Sequence, residues 1–163
     1  MRINKKRLAA VLVVALVAMG VGFAFGQALA EEVQEVSQVV EPTSQIVLRD
    51  GERELIERVV AAEARGECFE GQAAVAEVIY NRCISRDMTA CEVVLQKGQF
   101  AKPYNGTVSE DIKQAVAAVF DYGVLNLDGA EYFHADYVNP SWADDMELIC
   151  QIGGHFFYKE KAL

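Results

Sequence analysis

Glu54-Leu-Ile-Glu-Arg-Val-Val-Ala-Ala-Glu-Ala-Arg-Gly-Glu67 is the stretch around which the chain is organised. Leu55, Val59 and Glu63 lie four apart, as do Ile56 and Val60, a spacing that aligns side chains on one face of an α-helix. Glu63 therefore continues an apolar stripe, while Glu54, Glu57 and Arg58 face water. A carboxylate pressed against apolar neighbours loses hydration, which favours its neutral form and raises its pKa. A carboxylic acid still protonated near neutral pH is what general-acid catalysis requires. The competing structural reading is that the helix ends near Gly66, so that Glu63 emerges at the rim and pairs with Arg65 or Arg82.

Working outward to the N-terminus, Arg2, Lys5, Lys6 and Arg7 precede the uncharged run Leu8 to Phe25, 18 residues long, and then Ala28-Leu29-Ala30. Basic region, apolar region and Ala-x-Ala site describe a secretory signal peptide cleaved after Ala30. The run also approaches the length that spans a bilayer, so an uncleaved membrane anchor is the competitor. Either form places the remainder outside the cytosol, secreted or at the cell wall, with the membrane touched only through residues 1–30. Residues 31–50, rich in Glu, Gln, Val and Ser with Pro42, read as a flexible linker, although Val33, Val36 and Val40 also fit a weak amphipathic helix. The domain proper is expected over 51–163, acting as a monomer.

Charge narrows the partners. Taking the four basic residues of the leader from the 15 in the chain leaves 11 against 24 acids, a formal charge of −13 in place of −9. Such a surface repels polyphosphates and anionic lipid head groups, so nucleic acid is excluded as a partner. Cys68, Cys83, Cys91 and Cys150 make an even count in an exported chain, which suggests two disulfides. Three connectivities are possible; Cys83 and Cys91, close in sequence, could staple one helix end to the next, which would leave Cys68 with Cys150. No Cys-x-x-Cys spacing points to zinc or redox chemistry. A catalytic thiol beside His134 or His155 is the weaker reading.

Past Gly66 to Gly71, a second helix is expected over Gln72 to Cys83, with Ala74, Val75, Val78, Ile79 and Arg82 at helical spacing. Alanines at 61, 62, 64, 73, 74 and 76 let the two helices approach closely. Thr89-Ala90-Cys91-Glu92 has capping-box spacing and opens a short helix through Leu95. Lys97 to Gly106 is loop, with Phe100 and Tyr104 between its Gly, Pro and Asn; these aromatics are either a sugar platform or core plugs. Ser109 caps a helix that buries Ile112, Ala115, Val116, Val119 and Phe120 and ends at Gly123. Ala130 to Val138 is β-prone, Asn139-Pro140 turns, and Met146 to Ile152, Gly153-Gly154 and His155 to Lys159 form a hairpin. Helices followed by a small antiparallel sheet near the C-terminus make an α+β domain.

His134 and His155 lie among aromatics in strands, where a histidine is usually a packing or hydrogen-bonding residue. No His-Glu-x-x-His or comparable spacing joins them to Glu63, so neither metal nor other cofactor is expected. Neither a Gly-x-Ser-x-Gly elbow nor a glycine-rich phosphate loop is present.

Three stretches together resemble the SleB/CwlJ-type cell-wall hydrolases, the family that includes spore-cortex-lytic enzymes. The first is Ala62-Glu63-Ala64-Arg65-Gly66-Glu67 with Glu70-Gly71-Gln72-Ala73-Ala74-Val75-Ala76 and Asn81-Arg82. The second is Gln96-Lys97-Gly98-Gln99-Phe100. The third joins Tyr132-Phe133-His134-Ala135 and Tyr137-Val138-Asn139-Pro140-Ser141-Trp142-Ala143 to Ile152-Gly153-Gly154-His155-Phe156-Phe157-Tyr158. The matches run in order from Leu55 to Lys159. Cys68 departs from the pattern, standing where relatives often have proline.

The resemblance implies a lysozyme-like fold acting on peptidoglycan glycan strands between N-acetylmuramic acid and N-acetylglucosamine. It also implies a lytic transglycosylase or muramidase whose essential glutamate matches Glu63. Gln99, Phe100, Tyr132, His134, Tyr137, Asn139 and Trp142 are the expected substrate contacts, because sugar sites combine aromatic platforms with amides. A two-carboxylate glycosidase needs a second acid, and Asp87, Glu131, Asp136, Asp144 and Asp145 qualify by type alone. Glu67 and Glu70 are expected to act locally, with substrate contact by Glu67 as the lesser alternative. A role in cell-wall remodelling or spore germination follows. The alternative is a non-catalytic wall-binding module that keeps the fold; cleavage of an amide bond would need a metal or thiol.

Overall fold

The computed structural model describes residues 45–161, all within one compact unit, Pro42–Leu163. The signal segment and residues 31–44 of the expected linker lie outside the described residues. The end of that linker belongs to the fold: Ile46 and Leu48 pack on the core, and the Gln45 N–H donates to the Tyr80 hydroxyl at 3.4 Å.

The order is α1 (Glu52–Ala64), α2 (Phe69–Arg86), α3 (Ala90–Val94), α4 (Glu110–Phe120), β1 (Tyr132–Ala135), a 3-10 turn (Ser141–Asp145), β2 (Met146–Ile152) and β3 (His155–Glu160). This is the α+β arrangement read from the sequence. Helix α2 is the centre. It packs against α1, α3, α4 and the sheet, and it is buried almost continuously from Gly71 to Cys83. Its apolar side chains meet Ile56, Val59 and Val60 of α1 and Ile112, Val116 and Phe120 of α4 in one core that extends to Phe157 of β3.

Helix α2 begins at Phe69, three residues before the expected start, and continues to Arg86. The residue that looked like a loop glycine, Gly71, is helical. A Cβ there would lie 3.0 Å from the Glu67 Cβ, so glycine admits a neighbour at that point and does not break the helix. Both predicted caps form. Thr89 and Glu92 make the reciprocal capping box of α3, and the Ser109 hydroxyl accepts the Ile112 N–H at the start of α4.

Glu77 was not singled out by periodicity, yet it is 3% exposed. Its carboxylate accepts the Asn126 and Leu127 N–H groups at 2.8 and 2.7 Å. Burial pushes its pKa up, while those two bonds and one from Asn81 work in the opposite direction. It ties the chain after α4 to the middle of α2.

The sheet is antiparallel in the order β1-β3-β2. Tyr132 pairs with Tyr158 and Phe133 with Phe157; Ile152 pairs with His155 across the two-glycine turn. Alternation sends successive side chains to opposite faces. Phe133, His155 and Phe157 therefore share the face toward the helices, and Tyr132, His134, Phe156 and Tyr158 share the other.

The expected disulfides do not form: Cys68, Cys83, Cys91 and Cys150 are all free. Cys83 is a core residue on α2, its thiol pushed up to about 12 by burial and then by the nearby Glu52 carboxylate. Cys150, across a β-bulge on β2, is also raised, mainly by burial. Cys68 lies exposed ahead of α2. Close sequence spacing favours a Cys83–Cys91 pair, but a thiol packed into the core behaves as a small apolar side chain.

Candidate active site

Glu63 lies near the end of α1, and the stripe reading needs correcting there. The buried face of α1 is centred on Ile56, Val59, Val60 and Ala64, and Glu63 is half-exposed at its margin. An i, i+4 row drifts about 40° around a 3.6-residue helix at each step, so Leu55 and Glu63 flank Val59 and do not share its burial. The predicted ion pairs are absent as well. Arg65 sits 5.2 Å over the Tyr104 ring, and Arg82 Nε donates to the Glu131 carbonyl.

Glu63 instead receives the Ala101 N–H on Oε1, at 2.5 Å. Its Oε2 makes no hydrogen bond among the described residues. The loop that supplies Ala101 is fastened along α1 at a second point: the Tyr104 N–H donates to the Arg58 carbonyl, and Arg58 Nη1 donates to the Tyr104 carbonyl, both at 2.9 Å. One oxygen of Glu63 is thus oriented by backbone, and the other remains available.

Phe100, next to Ala101, begins an aromatic wall. Its ring lies 6.3 Å from Phe133; Phe133 is 5.5 Å from His155, edge to face, and 5.9 Å from Phe157, stacked. On the other side of Phe100 is the Arg82 guanidinium, 4.9 Å from that ring and 5.7 Å from Tyr132. Burial, followed by the charge of Arg86, brings Arg82 down to about 10, and its Nη1 is buried with no hydrogen-bond partner. Phe100 and Tyr104 are core-packed plugs more than open platforms.

An open groove of about 790 Å³ lies beside this wall, lined by Ser85, Arg86, Gln96, Lys97, Gln99, Glu131, Tyr132 and Glu160. Arg86 and Glu131 are joined by two hydrogen bonds of 3.0 and 2.9 Å, and the Tyr132 hydroxyl donates to Glu160 at 2.8 Å. Glu63 does not line this groove. The two are linked through Gln99–Ala101, where Gln99 faces the groove and Ala101 holds the acid.

The expected substrate contacts are therefore divided. Gln99 and Tyr132 line the groove, with Phe100 behind them. His134 and Trp142 belong to a cluster on the outer sheet face with Tyr132 and Tyr158. His134 is fully engaged, with Nδ1 against the Ala135 carbonyl and Nε2 against the Tyr158 hydroxyl, each at 2.9 Å. Tyr137, 88% exposed, and the exposed Asn139 make no side-chain hydrogen bond or ring contact among the described residues and are not drawn into the cluster. Of the second acids considered, Glu131 is committed to Arg86, while Asp144 and Asp145 sit exposed on the 3-10 turn.

Phe133 was not among the expected substrate contacts, and Glu67 was expected to act locally or, as the lesser alternative, to touch substrate. The Glu67 carboxylate crosses to the sheet, where Oε2 accepts the Gly154 N–H at 2.9 Å and Oε1 lies 3.7 Å from His155 Nδ1. Strand alternation was the available signal for Phe133, since it opposes Tyr132 and His134. Nothing in the local spacing could pair Glu67 with residues 87 positions away.

Comparison with known proteins identifies the family. A family model described as Cell Wall Hydrolase matches residues 66–158, starting just after Glu63. The chain is 31% identical over 112 residues to the spore cortex-lytic enzyme of Oceanobacillus iheyensis, covering 65% of this chain and 41% of that protein. It is 29% identical over 109 residues to the Bacillus subtilis spore cortex-lytic enzyme, covering 63% and 36%. The chain thus spans about two fifths of the length of these relatives. Among solved structures, the catalytic domain of the Bacillus cereus SleB protein superposes with a TM-score of 0.64 at 28% identity, covering 71% of this chain and 95% of that one. The catalytic domain of the germination-specific lytic transglycosylase SleB from Bacillus anthracis gives 0.60 at 30% identity, covering 68% and 96%. With the family model spanning more than half of its residues, and with this fold, the chain belongs to the cell-wall hydrolase family of the SleB-type spore-cortex-lytic enzymes.

Proposed function

We propose that this protein cleaves peptidoglycan glycan strands outside the cytosol, between N-acetylmuramic acid and N-acetylglucosamine, as a lytic transglycosylase with Glu63 as its single acid and base. The observation that carries this reading is the Glu63 carboxylate at the rim of α1. It is fixed through one oxygen by the Ala101 N–H and free at the other. Kinship with the spore cortex-lytic enzymes and with a SleB lytic transglycosylase supports the choice of substrate and of reaction.

The proton follows a closed path. Protonated Glu63 gives its proton through Oε2 to the bridging oxygen as the bond from muramic C1 to that oxygen breaks, leaving an oxocarbenium-like centre. The muramic 6-hydroxyl then attacks C1 and returns its proton to Glu63. A 1,6-anhydro ring forms, no water is consumed, and the acid is regenerated. A hydrolytic route would need a second carboxylate to activate water or act as nucleophile. The acids near the groove are spent instead, Glu131 on Arg86 and Glu160 on Tyr132. Gln99 and Tyr132 would contact the strand along the groove, with Phe100 setting its edge. The expected setting is cell-wall remodelling or germination.

Mass spectrometry of peptidoglycan incubated with the protein tests this. Anhydromuramic ends are the expected product. Reducing ends would replace the transglycosylase mechanism with hydrolysis, and intact strands would favour a wall-binding module without catalysis.

A further inference from the structure

The second glutamate of the first motif is seated in a cradle that leaves it little room. A Cβ at Gly153 would lie 2.0 Å from Glu67 Oε2, one at Gly154 would lie 3.1 Å from Oε1, and one at Gly71 would lie 3.0 Å from the Glu67 Cβ. Gly153 also has φ +55°, a conformation that glycine adopts without steric cost. Three glycines on two separate elements thus leave space for one carboxylate. Within the cradle, Oε2 takes the Gly154 N–H, and the Glu67 carbonyl accepts from Gln72 Nε2 at 3.0 Å. Oε1 faces His155, which is 8% exposed and whose Nδ1 is buried without a hydrogen bond. The 3.7 Å separation is longer than an N–H···O bond, so Glu67 seats the imidazole by packing and shape.

From Glu67 the contacts run without a gap to the proposed acid: His155 against Phe133, Phe133 against Phe100, and Ala101, next in the chain, to Glu63. Oε2 is held by the Gly154 N–H and Oε1 is packed against the His155 ring, so the hairpin encloses the carboxylate.

We propose that Glu67 is a positioning residue for the reaction at Glu63. It pins the Gly153-Gly154 turn and seats His155, and through His155 and Phe133 it fixes the wall against which Phe100 and Ala101 present the acid. This rests on the function proposed above. Active-site groups must be held to within a fraction of an ångström, and a displacement of about 1 Å can cost on the order of a hundredfold in rate.

The test compares the full chain with Glu67→Ala, Glu67→Gln and Gly153→Ala on purified glycan strands, reading kcat, KM and thermal unfolding, with Glu63→Gln as reference. Glu67→Ala is expected to lower kcat by about ten- to a hundredfold with KM changed by less than about threefold. Glu67→Gln, whose amide oxygen still accepts from Gly154, should recover most of the loss. Gly153→Ala should reproduce the Ala variant by evicting the carboxylate. A folded Glu67→Ala with parental kcat overturns the inference. So does a Gln variant as slow as Ala, which would mean that the charge itself acts on substrate. A second readout needs no turnover. The chain has two histidines, so ¹⁵N spectra of the imidazoles give two ring systems, with His134 as internal reference. Glu67→Ala removes the carboxylate packed against the His155 ring and should shift the His155 signals while leaving those of His134 unchanged. Unaltered His155 signals overturn the proposal. A parent that fails to cut strands while His155 responds as expected defeats the proposed function and leaves the seat of His155 established.

Discussion

At Glu63, one oxygen is tied to backbone and the other can carry a proton. Glu63→Gln keeps an oxygen to accept the Ala101 N–H and removes the transferable proton. It should therefore lower kcat by about 10²- to 10⁴-fold, the usual worth of a positioned general acid, with an unchanged melting temperature. Release of muropeptides and a thermal melt check both halves. Glu77 shows the opposite profile: no part in the chemistry, and a large one in folding. Glu77→Ala leaves the Asn126 and Leu127 N–H groups without their acceptor and should cost about 2–4 kcal/mol, with one desolvation penalty for each orphaned donor. Its pH dependence has a definite sign. Burial raises its native pKa above 4.5, so the native state binds this proton more tightly than the unfolded chain does. Its contribution is complete below about pH 4.5 and declines as pH rises through the native value. Glu77→Gln removes that decline, and urea unfolding of the two proteins between pH 4 and 8 should show the parent losing stability relative to the variant.

At the level of elements, the loop from Gln96 to Tyr104 connects the acid to the groove. Ala101→Pro deletes the N–H that orients Glu63 and restricts Phe100 to extended conformations. A lowering of kcat by about tenfold, the equivalent of one hydrogen bond of about 1.4 kcal/mol, is expected. Because Ala101 is exposed, unfolding by urea should change little; an equal loss of stability and activity would show that the loop serves the fold instead. Much of this layout was legible in the chain. The Thr89–Glu92 box, the Ser109 cap and the two-glycine hairpin are local signals, and each formed where read. The start of α2 was not legible, because Gly71 reads locally as a breaker and is small only to admit Glu67. The division of the aromatics between two sheet faces was available from alternation. That the inner face meets Phe100 depends on the pairing of β1 with β3, which no local pattern specifies. The half-exposure of Glu63 was obscured for a related reason, since a stripe of identical spacings conceals the slow rotation of a helical row.

For the molecule as a whole, the dominant long-range property is its charge. Residues 31–163 carry 11 basic and 24 acidic side chains, so under the proposed function the protein would approach an anionic wall against repulsion, with no electrostatic steering to bring it in. Of the basic residues near the groove, Arg86 is neutralised by Glu131 and Arg82 is buried beneath two rings, which leaves the single charge of Lys97 against the net −13. Repulsion of this kind acts over the screening length, about 30 Å at 0.01 M salt and about 10 Å at 0.1 M. Digestion of intact wall material should therefore accelerate severalfold as ionic strength rises from about 0.01 to 0.15 M. On short glycan oligomers whose muramic lactyl carboxyls are amidated, where approach is not opposed, the same change should leave the rate nearly flat. Initial rates on the two substrates across a salt series separate the terms, because the proposed chemistry at Glu63 is common to both and only the encounter differs. A rate on wall material that falls with salt would mean that a local basic surface outweighs the net charge, and Arg86 and Lys97 at the groove would then be the residues to neutralise first.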